Sequence, residues 1–259
     1  MILYFLVILS LIPTHYLKSE EVITNMQRKD GFGAQFQNII NTVVYAELNN
    51  KKFVYTPFTT MEHNYDGNAD FLEKKEHLIN FIDNFELNNG NATPQPECHE
   101  FFDKNVEKCA NTVGLNKIRI IFKANKNIND YFEDQTFNIA VHIRRPNIHD
   151  SRIEGTDTPD TIFLNIINKL RALYQDKKPL FHIFSQGNIE SFKAYNASDV
   201  KLHLNDSVED SFASMVLADI LVTSRSSYSY TAALLSQGTV YYVPFWHSPL
   251  PHWIKVDTN

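Results

Sequence analysis

The chain has 259 residues, 43% of them hydrophobic and 13% aromatic, which is enough apolar material to close a core in one large or two small domains and too much for a disordered chain. Its formal net charge of −6 argues against a nucleic-acid partner, which usually meets a basic stripe, so any anion site must be local. In chain order, Met1 to Ile12 form an uncharged apolar run closed by Pro13. The run is shorter than the ~20 residues of a spanning helix and has the length of a signal-peptide core, without a basic flank or clear cleavage site. Residues 1–19 are expected to be a signal peptide or short anchor, with a buried strand as the alternative. A working leader would place the protein in the secretory route or at a membrane through its amino terminus; otherwise it is cytoplasmic. The sequons at Asn91, Asn196 and Asn205 are compatible with the first route but common in an Asn-rich chain. Cys98 and Cys109 are either a bridge or two thiols, depending on compartment, and no Cys/His spacing suggests a metal.

Residues 20–134 read as a first α/β half. A strand over 21–26 leads into the turn Asp30-Gly31-Phe32-Gly33. A helix over 34–49 follows, with Phe36, Ile39, Ile40, Val43, Val44 and Leu48 at helical spacing, then a strand over 52–56 ended by Pro57. A polar, Asn-rich middle with helical patches runs to about 134, where polar residues mark the boundary.

Residues 135–259 form the second half. Its near-continuously apolar strands fall over 137–143, 180–185, 200–204, 220–223 and 239–243. Helices are expected from Thr158-Pro159-Asp160 onward, with Phe163, Ile166, Ile167, Leu170 and Leu173 on one side, and over 189–195, 210–218 and 228–235. Such alternation predicts a parallel sheet covered on both faces, a Rossmann-like unit. Ligands of these sheets bind beyond the carboxyl ends of the strands. His142, Arg144 and Arg145 leave the first strand there, Ser185-Gln186-Gly187 the second, and Ser224 to Ser227 the fourth. An arginine fork and a helix amino terminus both suit phosphate oxygens. Each residue also has a plain structural reading: a surface ion pair for the arginines, a helix cap for Ser226 and Ser227, a satisfied interior histidine for His142. The aromatic, proline-stiffened tail from Trp246 to Trp253 is expected to pack on the core, with lining of the cleft as the alternative.

The His-x-Arg-Arg pattern of His142 to Arg145, the Ser226-Ser227-Tyr228-Ser229-Tyr230 run after Ala218 to Val222, and Gly31-Phe32-Gly33-Ala34-Gln35 together resemble the shared motifs of the α1,2-, α1,6- and protein O-fucosyltransferase superfamily, over about residues 22–247. The resemblance implies an α/β, GT-B-like fold of two Rossmann-like halves with parallel sheets, the carboxy-terminal half holding GDP-fucose and the cleft and first half taking a glycan or glycoprotein acceptor. Carried over by position, Arg144 would bind the diphosphate, His142 the nucleotide, Ser226 and Ser227 phosphate oxygens, and Asp210 the guanine edge. Arg145, Gly31 and Gly33 fall among the donor-binding positions. Asp210 is equally apt as a helix cap. The sequence departs from the family where Pro146-Asn147 stands in place of a supporting aspartate, and where Ala34 replaces an asparagine. The expected chemistry is inverting transfer without a metal or other cofactor, with Glu154 and then Asp150 as candidate general bases. Another sugar nucleotide, or a non-catalytic nucleotide- or carbohydrate-binding relative, are the alternatives. A Rossmann dehydrogenase fits poorly, because the third glycine of its fingerprint is missing.

Overall fold

A computed structural model describes residues 20–64, 67–96, 98–133, 136–145 and 158–258. The leader and both candidate bases, Asp150 and Glu154, lie outside the described residues.

The chain forms two parallel sheets, as expected of two Rossmann-like halves. In the first, β1 (Val22–Asn25) lies between β2 (Lys52–Val54) and β3 (Thr93–Gln95). Helix α1 (Phe32–Leu48) joins β1 to β2, and the middle of the chain supplies α2 (Phe71–Ile79), α3 (Cys98–Lys104), α4 (Val106–Cys109) and α5 (Val113–Lys123). The second sheet runs through β4 (Asn138–His142), β5 (Leu180–Ser185), β6 (Val200–Leu204), β7 (Ile220–Val222), β8 (Thr239–Tyr242) and β9 (Ile254–Lys255) in the spatial order β6-β5-β4-β7-β8-β9. Helices α6 (Asp160–Leu173), α7 (Val208–Leu217) and α8 (Ser227–Leu235) connect its strands.

Side-chain alternation along β4 divides the interior. Ile139 and Val141 face a core closed by Phe163, Ile166, Ile167 and Leu170 of α6, while Ala140 faces the opposite core with α7 and α8. That second core is continuous with the first half of the molecule. Phe212 of α7 is its hub, with ring centroids 5.1 Å from Phe32, 6.0 Å from Phe36 and 5.6 Å from Phe122. A buried ion pair, Lys75 Nζ to Glu209 Oε1 at 2.5 Å, ties α2 to α7 beside this cluster.

Several expectations are adjusted. Helix α1 begins at Phe32, so Gly31 is its cap and Gly33 lies inside it rather than in a turn. Helix α7 begins at Val208, which places Asp210 within its first turn. Residues 189–195 form a 3₁₀ segment kinked at Phe192. Leu173, placed on the apolar stripe of α6, is 57% exposed at the helix end. The tail divides: Leu250 and Trp253 are buried as expected, whereas Trp246 is 57% exposed. No helix among the described residues is long and apolar enough to cross a membrane.

Candidate functional site

From β4 the chain builds β5 and β6 to one side, then returns across β4 to place β7 on the other. This reversal makes the crevice between the carboxyl ends of β4 and β7 the topological switch point, where open parallel sheets bind ligands. The site is bracketed by two buried side chains. His142 ends β4, Ser224 follows β7, and Nδ1 of the first lies 2.8 Å from Oγ of the second. Burial, reinforced by the Arg144 charge, pushes the His142 imidazole down to about 3, so it is neutral and its hydrogen bond to Ser224 is held without a charge.

A cleft of about 220 Å³ opens over this point. His142, Arg144, Ser226, Ser227, Gly31, Phe32 and Gly33 all line it, so the structure brings together most of the residues singled out by the sequence. Two helix amino termini converge there. Ser226 caps α8, its Oγ accepting from Tyr228 N at 3.3 Å. Gly31 caps α1 with no side-chain hydrogen bond, and with Phe32 and Gly33 it brings the amino-terminal end of that helix to the cleft. Both macrodipoles thus add positive potential beside Arg144, an arrangement suited to an anion such as a diphosphate.

The closeness of the two helices explains one glycine and not the other. A Cβ on Gly33 would sit 2.4 Å from the Cα of Tyr228, and Thr231 Oγ1 donates to the Gly33 carbonyl at 2.8 Å. The first turn of α1 therefore rests on the backbone of α8. A Cβ on Gly31 would meet a side chain, the ring of His63, rather than backbone. Gln35, next in the same motif, is buried and donates to the carbonyls of Asp30 at 2.7 Å and Thr60 at 2.8 Å, fixing the loop before α1.

Two candidates have engagements of their own. Arg145 lines the cleft but its guanidinium is held by Asp160 at 2.5 Å and packs over the Phe192 ring, with Tyr195 Oη donating to the same carboxylate. Asp160 thus supplies a carboxylate partner to Arg145 from the start of α6. Its helix-start position disguised it. Asp210 is not among the residues lining the cleft: it accepts from Ser207 Oγ at 2.7 Å while its own N–H donates to that oxygen, a reciprocal cap of α7. The carboxylate that does line the cleft on this side is Asp206, which reading from the sequence missed. Its Oδ2 is 3.1 Å from His203 Nδ1, and His203 Nε2 is 3.0 Å from His182 Nδ1, so a file of imidazoles stands behind it. Phe184, stacked on His203 with centroids 4.6 Å apart, forms the adjoining apolar wall.

On the α1 side the cleft carries the carboxylates of Asp30 and Glu62 and the ring of Trp246. Among the described residues no group of three or more His, Cys, Asp or Glu side chains is arranged to hold a metal.

An α/β protein with two parallel sheets and an anion-suited cleft at a switch point is the class that fold and site define. No protein-family model and no curated protein matches the sequence. Among solved structures, the chain is similar to the NodZ alpha-1,6-fucosyltransferase co-crystallized with GDP, at 13% identity and TM-score 0.48, over 87% of this chain and 95% of that one. It is similar to the fucosyltransferase NodZ from Bradyrhizobium at 14% identity and TM-score 0.46, over 84% and 93%. It is also similar to POFUT1 in complex with GDP, at 12% identity and TM-score 0.45, over 88% and 98%. At these values the functional argument rests on the cleft itself.

Proposed function

We propose that the protein is an inverting glycosyltransferase that moves fucose from GDP-fucose to a hydroxyl of a glycan or glycoprotein. The observation that carries this reading is the convergence of Arg144, the Ser226-capped terminus of α8 and the uncapped terminus of α1 on the switch point marked by His142 and Ser224. The diphosphate would lie between the two termini, with Arg144 as its fork and Ser226 and Ser227 as further donors. The nucleoside would extend past His142 toward Phe184, where Asp206 faces the cleft with only acceptor atoms. A carboxylate accepts from the N1–H and exocyclic amine of guanine and repels the N1 lone pair of adenine. Asp206 takes, in this proposal, the part that the resemblance gave to Asp210.

In the reaction the acceptor oxygen forms a bond to the anomeric carbon as the bond from that carbon to the diphosphate breaks. GDP departs with the electron pair, and the hydroxyl proton passes to a carboxylate base, for which Glu154 and then Asp150 are proposed. Charge grows on the diphosphate oxygens during this step, and fixed donors aimed at them contribute ~3 kcal/mol each. The test is calorimetric titration with GDP, combined with transfer from a panel of labelled sugar nucleotides to mixed glycans. Arg144→Ala is expected to weaken GDP at least about tenfold and to lower transfer further, as loss of a charge-assisted contact does. Unchanged GDP affinity and transfer in that variant would sink the reading, and transfer from another donor would redirect it to that sugar.

A further inference from the structure

Trp246 is one of only two tryptophans in the chain and the most exposed aromatic described, at 57%, yet it is not loosely placed. Its indole Nε1–H donates to His247 Nε2 at 3.2 Å, which leaves the His247 proton on Nδ1, facing Asp103 Oδ2 at 3.3 Å. Asp103 also accepts from Ser248 N at 2.9 Å, so the carboxylate grips both residues that follow Trp246. Phe245 lies against the indole with centroids 4.0 Å apart. The polar end of the tryptophan is thus satisfied by protein, and what faces the cleft is an aromatic plate.

The same wall carries a planar polar pair. Arg28 holds Asp30 through Nη2 to Oδ2 at 2.6 Å and Nε to both oxygens at 3.1 and 3.0 Å, and Asp30 lines the cleft. The pair is joined to the plate: Arg28 Nη1 is 3.4 Å from His99 Nε2, Asn41 fixes the other His99 nitrogen at 2.9 Å, and the His99 and His247 rings lie 5.8 Å apart. One connected frame, from Asp103 through His247 and His99 to Arg28, sets the spacing of plate and carboxylate.

We infer that this wall is a saccharide subsite, in which a pyranose ring of the acceptor stacks on Trp246 while its hydroxyls hydrogen-bond Asp30. The inference rests on the glycosyltransferase reading for the words "of the acceptor" only. A pyranose presents an apolar face of C–H bonds, slightly positive, that complements the negative face of an indole. Its rim is a row of hydroxyls, each donor and acceptor, that a fixed carboxylate can orient. A nucleobase would also stack, but in the proposed donor pose it takes the Asp206 carboxylate after β6 and the apolar wall of Phe184 on β5. His247 acts as a positioning residue, through the indole N–H.

The two tryptophans make the test direct, because Trp253 is 7% exposed and iodide quenching of fluorescence therefore reports chiefly on Trp246. The full chain is titrated without donor against N-acetylglucosamine, galactose, fucose and their β-linked disaccharides, and separately with GDP. Expected is saturable protection from iodide by at least one saccharide, absent in Trp246→Ala and kept in Trp246→Phe when saccharide binding is followed by calorimetry. With that saccharide as acceptor, Trp246→Ala should raise its KM about tenfold while leaving GDP affinity unchanged, a size ordinary for truncating a stacking aromatic. His247→Ala should weaken saccharide binding and shift the Trp246 emission, whereas a merely structural His247 would move stability alone. Protection by no saccharide, or an equal loss of GDP affinity in Trp246→Ala, overturns the subsite. Protection by a saccharide with no GDP binding keeps the subsite and overturns the donor reading instead.

Discussion

At the scale of single residues, the two glycines that precede and open α1 make different predictions although they read alike in sequence. Gly33→Ala forces a methyl against the backbone of Tyr228, which cannot turn aside as a side chain can. A loss of about 3 kcal/mol or more is expected, at the upper end of overpacking costs, together with a separation of α1 from α8 that weakens GDP. Gly31→Ala meets a side chain, the His63 ring, and replaces the α1 cap by a poorer one, so its cost should be smaller, about 1 kcal/mol. Urea unfolding of the two variants with GDP titration checks both. The paired carboxylates Asp206 and Asp210 differ in the same way. Asp206→Asn should erode the proposed preference for GDP over ADP, since an amide also donates, while Asp210→Asn, which keeps the backbone N–H that Ser207 caps, should leave that preference intact, as competition binding with both nucleotides would reveal.

Among elements, the ion pair that links α2 to α7 is a sharper probe than any exposed one. Lys75 is 2% exposed, its ammonium 3.9 Å from the centre of the Phe71 ring, and Glu209 is its carboxylate partner. Removing the lysine leaves that partly buried carboxylate without its partner, so Lys75→Ala should cost about 1–3 kcal/mol, whereas Lys75→Met with Glu209→Gln should recover most of it; thermal unfolding of single and double variants measures the difference. The elements themselves were legible where burial dictates pattern. The apolar runs of β4, β5, β7 and β8 and the stripe of α6 stand out because each is covered by the core. Strand β3 did not, since Thr93-Pro94-Gln95 sits in an Asn-rich loop with proline at its centre; an edge strand tolerates proline because one side needs no donor. The cleft was legible in its arginine and serine motifs, which are local in sequence. Asp160 and Asp206 were not, because their roles depend on Arg145 and His203, which are brought to them by the fold, and for Trp246 cleft lining was only the second reading.

For the molecule as a whole, three interior histidines set an acid limit. Burial is the largest cause in each, and it pushes His142 down to about 3 and His99 and His182 to about 4. Between those values and 6.5 the unfolded chain binds more protons than the native one. Their contribution to stability is therefore complete above pH 6.5 and lost as pH falls through the folded values. Glu76, raised by burial, acts in the opposite sense. Tm should therefore fall as pH drops from 6.5 toward 4, by about 2–4 °C for each kcal/mol lost. His182→Gln should flatten that slope, a result differential scanning calorimetry across pH would confirm or refuse.

The hub at Phe212 has a consequence for synthesis. When residues 20–133 have left the ribosome, Phe32, Phe36 and Phe122 are already present, but the ring they close upon lies some 80 residues downstream of that point. At translation rates of about 5–20 residues per second, the faces that these rings turn to Phe212 wait for several seconds without that partner. The amino-terminal half is thus a nascent client rather than a finished domain, and its maturation should coincide with emergence of α7, an event that arrest peptides placed along the message can time.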